Sequence, residues 1–153
     1  MRKGWATMLA MLALAAPGAA QTARPMLDYA SAAKIRDGCV AWATERKLAV
    51  AVAVFDERGT LMAFALMDGA ASAVGGYAQW KGRSAATIHV ASAETANWGR
   101  GPAELATWEG GTPVFSGEGV PLGGVGVSGA ESSEDAACGQ AGIAAAGLRN
   151  TKD

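Results

Sequence analysis

Val50-Ala51-Val52-Ala53-Val54-Phe55, then Asp56-Glu57-Arg58-Gly59, then Leu61-Met62-Ala63-Phe64-Ala65-Leu66-Met67 reads as two strands joined by a tight turn. β-Branched and aromatic side chains fill a pleated, buried surface well, and Gly59 supplies the positive φ that a short hairpin turn needs. Both strands are apolar on both faces. Val50, Val52 and Val54 alternate with Ala51, Ala53 and Phe55, and Leu61 to Met67 contains no polar residue at all. Such a hairpin must be covered on each side. Helices of this chain are expected to supply one cover and a second copy of the chain the other.

Outward from the hairpin, the pattern changes from period two to period three and four. From Tyr29 to Lys47, Ala32, Ile35, Cys39, Trp42 and Ala43 share one face while Lys34, Asp37, Glu45 and Arg46 take the other, which predicts an amphipathic helix capped by Asp28. Beyond the hairpin, Asp68 and Gly69 turn the chain, and a helix is expected from about Tyr77 to Ala93. Ala78, Gly82, Ala85, Ala86 and Ala93 flank His89 on it, a small-residue face that another backbone or a flat ligand can approach closely. The stretch from Glu94 to Gly111 is irregular, with a short helical turn expected around Ala103 to Thr107. Pro113 to Phe115 and Val120 to Val127 form a second hairpin, and a last helix runs from about Ser133 to Leu148 with Glu134 and Asp135 at the positive end of its dipole. The order is helix, hairpin, helix, hairpin, helix. It defines an α+β fold, an antiparallel four-stranded sheet packed with helices.

Residues 1–20 read as a signal peptide: Arg2 and Lys3 precede an apolar run from Trp5 to Ala16, and Gly18 and Ala20 suit cleavage before Gln21. That run is too short to cross a bilayer, which takes about 20 apolar residues. Residues 21–27 form a flexible lead and residues 28–150 a single domain of common size. The chain is thus expected to be exported, periplasmic or extracellular, and soluble. Without Arg2 and Lys3, eleven basic residues face fourteen acidic ones, scattered along the chain. That balance argues against nucleic acid and anionic membranes as partners. Cys39 and Cys138 are an even pair in a chain sent to an oxidising compartment, and a disulfide between them is expected. The alternative is two buried small hydrophobes that never meet.

Gly123-Gly124-Val125-Gly126-Val127-Ser128-Gly129 contains a literal Gly-x-Gly-x-x-Gly. A dinucleotide fingerprint opens a parallel unit and sets phosphate on a helix N-terminus, whereas this one leads into Glu131, Glu134 and Asp135, which repel a pyrophosphate. Strand alternation accounts for it better. Val125 and Val127 point to one face, and Gly124, Gly126 and Ser128 leave the other bare for a closely packed helix or, less readily, a ligand.

Several segments together are specific. Val54-Phe55-Asp56-Glu57-Arg58-Gly59, Met67-Asp68-Gly69-Ala70, Lys81 on a following helix, Gly110-Gly111-Thr112-Pro113, and Gly126-Val127-Ser128-Gly129-Ala130 before Glu134-Asp135 occur in order. In this series the chain resembles the GlcG/HbpS-like family over nearly all of its length past the signal peptide. The resemblance implies a profilin-like sandwich that assembles into dimers or larger rings, with members that bind haem or related tetrapyrroles. Two positions depart from the family pattern: Leu66 stands where arginine is common, and the first helix offers no histidine and no other iron ligand except Tyr29.

The residues nearest these motifs are the candidate ligand-binding set: Asp68, Lys81, Arg83, His89 and Ser128. His89 is the sole histidine and therefore the candidate haem-iron ligand, with Lys81 and Arg83 as cations for the propionates. Against this stands the commoner role of a lone helical histidine, a hydrogen-bonded core or surface residue. Met62 and Met67 fit strand packing, and no spacing of His, Cys and carboxylates predicts a protein-only metal site. A Gly-x-Ser-x-Gly elbow is absent, Lys81 is a base only if its pKa is lowered, and Trp80, Trp98 and Trp108 line a pocket or pack in the core. The expected function is an exported small-molecule-binding protein for haem or a related tetrapyrrole, working as a homo-oligomer. The alternative is an enzyme or sensor domain acting on a small organic acid or aromatic compound.

Overall fold

The computed structural model describes residues 23–153; the predicted signal peptide and the first two residues of the lead lie outside them. Residues 23–28 carry no regular structure, yet Leu27 is buried, so the lead is anchored where it enters the first helix. That helix, α1, spans Tyr29–Glu45. The Asp28 carboxylate accepts from the Ser31 N–H at 2.7 Å, capping an otherwise orphaned donor, and this bond holds the Asp28 carboxyl below its usual pKa.

The decisive hairpin follows as β1 (Ala51–Asp56) and β2 (Leu61–Leu66), with Gly59 at φ 78° in the turn. Asp56 closes that turn by accepting from the N–H groups of Arg58 and Thr60. Next come α2 (Val74–Ile88), a single helical turn α3 (Ser92–Thr95), β3 (Gly111–Phe115), β4 (Pro121–Ser128) and α4 (Ser132–Ala145). The strands form one antiparallel sheet in the order β2-β1-β4-β3. The α+β class and the order of the main elements agree with the sequence reading. Two details differ. The second helix ends at Ile88 rather than near Ala93, because His89 turns into the left-handed region at φ 59°, ψ 31° and closes the helix. The extra helical turn is at Ser92–Thr95, and the 103–107 stretch holds one hydrogen-bonded turn, Leu105 N–H to the Pro102 carbonyl, with no helix.

Period-two alternation in β1 divides the interior into two halves. Val52 and Val54, with Val125 and Val127 of β4, face a large cluster that contains Ile35, Cys39 and Ala43 of α1 and Cys138 and Ile143 of α4. Ala51, Ala53 and Phe55 face a smaller cluster with Ala78 and Ala86 of α2. On this second side the helix sits almost backbone to backbone on β4. A Cβ at Gly82 would lie 2.7 Å from the Gly126 N and 2.8 Å from the Ala53 O, and one at Gly126 would collide with the Ala78 carbonyl and the Gly82 amide. The bare strip on β4 is thus occupied by a helix.

The covers are unequal. α1 and α4 together pack on all four strands, whereas α2 packs on β4, β1 and β3. β2 is left uncovered on the α2 side. Leu61, Phe64 and Leu66, whose strand partners Phe55, Ala53 and Ala51 belong to the smaller cluster, remain 42 %, 37 % and 45 % exposed.

Candidate functional site

A lysine on a helix face made of Ala78, Gly82 and Ala85 must enter the protein with the helix. Lys81 is buried, and its Nζ donates to the Asp135 Oδ2 at 2.9 Å and to the Val127 carbonyl at 3.0 Å. Asp135 is equally buried, and its second oxygen accepts from the Ala130 N–H at 3.1 Å. Burial pushes the Asp135 carboxyl above its usual range, while the Lys81 ammonium and the Ala130 N–H pull it down. The pair ties α2 to the end of β4 and the first turn of α4. Its amine is spent on these bonds, so Lys81 stands as a positioning residue rather than a free base or a cation for a ligand. Asp135 was the partner to look for: a buried ammonium requires a carboxylate, and the carboxylates at the start of α4 were the acids that follow the glycine-rich strand.

The other candidates fall in separate places. Ser128 is buried at the end of β4 beside Ala51, one residue past the carbonyl that Lys81 holds. Asp68 is exposed in the turn after β2. Arg83 is exposed on α2, with its guanidinium 5.5 Å from the Phe55 ring, and no carboxylate pairs with it among the described residues. His89 closes α2, and its Nε2 is enclosed without a hydrogen-bond partner. The expectation of a flat ligand lying on Ala78, Gly82, Ala85 and Ala86 is corrected by the packing: the three alanines have no exposed surface, and the sheet already occupies the space over Gly82.

Polar residues outside the candidate set hold the irregular segment before β3. The Ser84 hydroxyl accepts from the Ala106 N–H at 2.9 Å. The Ser92 hydroxyl donates to the Trp108 carbonyl at 2.6 Å and accepts from the Gly111 N–H at 2.8 Å. Thr95 donates to the Ala106 carbonyl, and the Trp80 indole N–H donates to the Ala103 carbonyl at 2.8 Å. A serine in the middle of a small-residue helix was the only signal in the sequence for this arrangement. Trp80 and Trp108 meet edge to face at 6.1 Å, and Tyr77 and Trp108 at 5.5 Å. Beside them is a shallow groove of about 320 Å³ lined by Gln79, Trp80, Arg83, Ala103 and Glu104.

Arg83 therefore stands between two accessible surfaces: this groove, and the bare face of β2. The flank of α2 that carries Gly75, Gln79 and Arg83 borders both, since the Phe64 ring comes within 3.4 Å of where a Gly75 Cβ would be and the Arg83 stem packs near Gly59 of the hairpin turn. Among the described residues no group of three or more His, Cys, Asp or Glu is placed to hold a metal ion.

A four-stranded sheet with two helices on one face, one long helix on the other and a buried lysine–aspartate tie defines an α+β sandwich of one recognisable class. The chain belongs to the haem degrading protein HbpS-like family, whose sequence model matches residues 27–144. Similar solved structures include HbpS, with 29 % identity and a TM-score of 0.77 over 86 % of this chain and 97 % of that one. A double mutant of HbpS from Streptomyces reticuli is 28 % identical, with a TM-score of 0.77 over 88 % and 97 % of the two chains. A complex of PduOC with heme shares the fold at 22 % identity, with a TM-score of 0.75 over 83 % of this chain and 99 % of that one. No curated protein sequence matches the chain.

Proposed function

We propose that this chain binds haem or a related tetrapyrrole, as an exported protein, on the uncovered face of β2 with Arg83 at its border. Family membership supports the ligand class. The observation that carries the placement is the row Leu61, Phe64 and Leu66, exposed side by side on an edge strand that the helices of its own side leave bare. Six residues of strand extend about 20 Å, long enough to support a flat macrocycle, and the free Arg83 guanidinium suits a propionate. Bound tetrapyrrole supplies a redox-active iron when it is haem; this chain supplies an apolar floor that excludes water and a cation that orients the acid groups. Titration of the purified mature chain with haemin is expected to give a saturable Soret band. Its absence removes the reading.

Export is supported by the predicted signal peptide and by the disulfide between Cys39 and Cys138, a bond that persists in oxidising compartments. No helix among the described residues is long and apolar enough to cross a membrane. Homo-oligomerisation belongs to the same proposal. Tyr77 and Trp108 are 41 % and 55 % exposed on the flank of α2 away from β2, and aromatic residues of this kind are enriched at the centres of subunit interfaces. Light scattering at micromolar concentration is expected to give a multiple of the chain mass; a single-chain mass throughout a dilution series contradicts it.

A second reading has one observation in its favour. The groove beside Trp80, with Arg83 and Glu104 on its walls, has the dimensions of a site for a small organic acid or aromatic compound.

A further inference from the structure

The tetrapyrrole reading has a consequence for how the ligand is recognised, and this inference rests on that reading. We propose that the site recognises the macrocycle and its acid groups rather than the metal, so that metal-free porphyrin is bound about as well as haem. Strong haem sites draw much of their affinity and spin state from an axial imidazole, thiolate, thioether or phenolate. Among the described residues each such donor is enclosed or stands off that face: Tyr77 meets Trp108 edge to face on the flank of α2 away from β2, and Met26 is in the lead into α1. The one histidine has its Nε2 enclosed at the end of α2. Cys39 and Cys138 are bonded to each other between α1 and α4, in the layer across the sheet from the bare face. Met62 and Met67 pack into that same far cluster. The Lys81 amine is held by Asp135 and Val127. Tyr29 is 67 % exposed, but it stands at the start of α1, again across the sheet.

What β2 and its border do present is indifferent to a metal: three apolar side chains, the Gln79 amide and an unpaired guanidinium. The ring is taken by apolar contact, in proportion to area, and the carboxylates by charge-assisted hydrogen bonds. Nothing in that set changes when the central metal is removed. Among the described residues, this face lacks the donor that would make iron the point of recognition.

The test compares haemin with protoporphyrin IX on the mature chain, by quenching of tryptophan fluorescence, since Trp80 is three residues from Arg83 and any bound porphyrin absorbs its emission. The two dissociation constants are expected to agree within about tenfold. His89→Gly, which suits the left-handed backbone at that position, and Tyr29→Phe are expected to leave both constants and the haemin Soret position unchanged. Arg83→Gln is expected to weaken both ligands by about tenfold, the loss of one charged hydrogen bond. Haemin bound more than about tenfold tighter than protoporphyrin IX, or a Soret shift in either of the first two variants, overturns the inference while leaving tetrapyrrole binding intact. Equal affinities that do not respond to Arg83→Gln overturn the recognition of the acid groups by this face. Binding of neither compound removes the tetrapyrrole reading and this inference with it.

Discussion

Lys81→Met is expected to cost about 3–5 kcal/mol of folding stability, because it leaves the Asp135 carboxylate buried without its counter-ion. The variant should fare better as the pH falls. A carboxyl whose folded pKa is raised above its unfolded value holds its proton more firmly in the folded state, so stability rises as pH is lowered through the folded pKa towards about 4. Burial already raises Asp135 in the wild type, and removal of Lys81 takes away the largest opposing influence. Urea unfolding at pH 7 and pH 5 measures the effect. Lys81→Met combined with Asp135→Leu should recover most of the loss, since replacing both ions with apolar groups removes the uncompensated charge. A double variant as unstable as the single one would show that the amine acts through the Val127 carbonyl and not through the pair.

Cys39→Ala with Cys138→Ala is expected to lower stability by about 2–5 kcal/mol. The bond joins α1 to α4 across a sequence separation of 99 residues, so the unfolded chain loses a large closed loop when it is removed. Both sulfurs lie in the larger cluster with no exposed surface, and the alanines also leave that interior less filled. Denaturation of wild type with and without reductant, beside the double variant, separates the two contributions: the reduced wild type lacks the bond alone, and the variant lacks bond and volume. Equal midpoints for oxidised and reduced wild type would contradict the expectation.

The strands were legible in the sequence because Val50 to Phe55 and Leu61 to Met67 carry no polar side chain and Gly59 marks the turn between them, while Pro113 marks the second hairpin's first strand and Gly117 and Gly119 its turn. The first and last helices were legible from their three-and-four periodicity. The end of α2 was not, since Ile88-His89-Val90-Ala91 continues an apolar helical pattern and the left-handed residue that closes the helix is His89 rather than the glycine or asparagine usual there. The site was read less well than the fold. Lys81, Arg83 and His89 lie within three turns of one helix, and sequence spacing brings them together, but the helix presents them to three environments: Lys81 to the interior, Arg83 to solvent beside β2, and His89 to an enclosed corner. The role of Asp135, 54 residues beyond Lys81, depended on knowing which strand α2 lies upon.

The contact between α2 and β4 has a dynamic consequence. Its members are Gly and Ala, with no side-chain rotamers to freeze, so docking this helix costs almost no side-chain entropy. The same lack of side chains leaves nothing to rearrange: a helix seated on a sheet by main-chain atoms cannot slide by exchanging rotamers, and any translation of α2 would drive Ala78 or Gly82 into Gly126. α2 and β4 therefore move as one stiff plate, and local adjustment on this side of the sheet falls to the edge strand β2, its turn at Gly59 and the long side chain of Arg83.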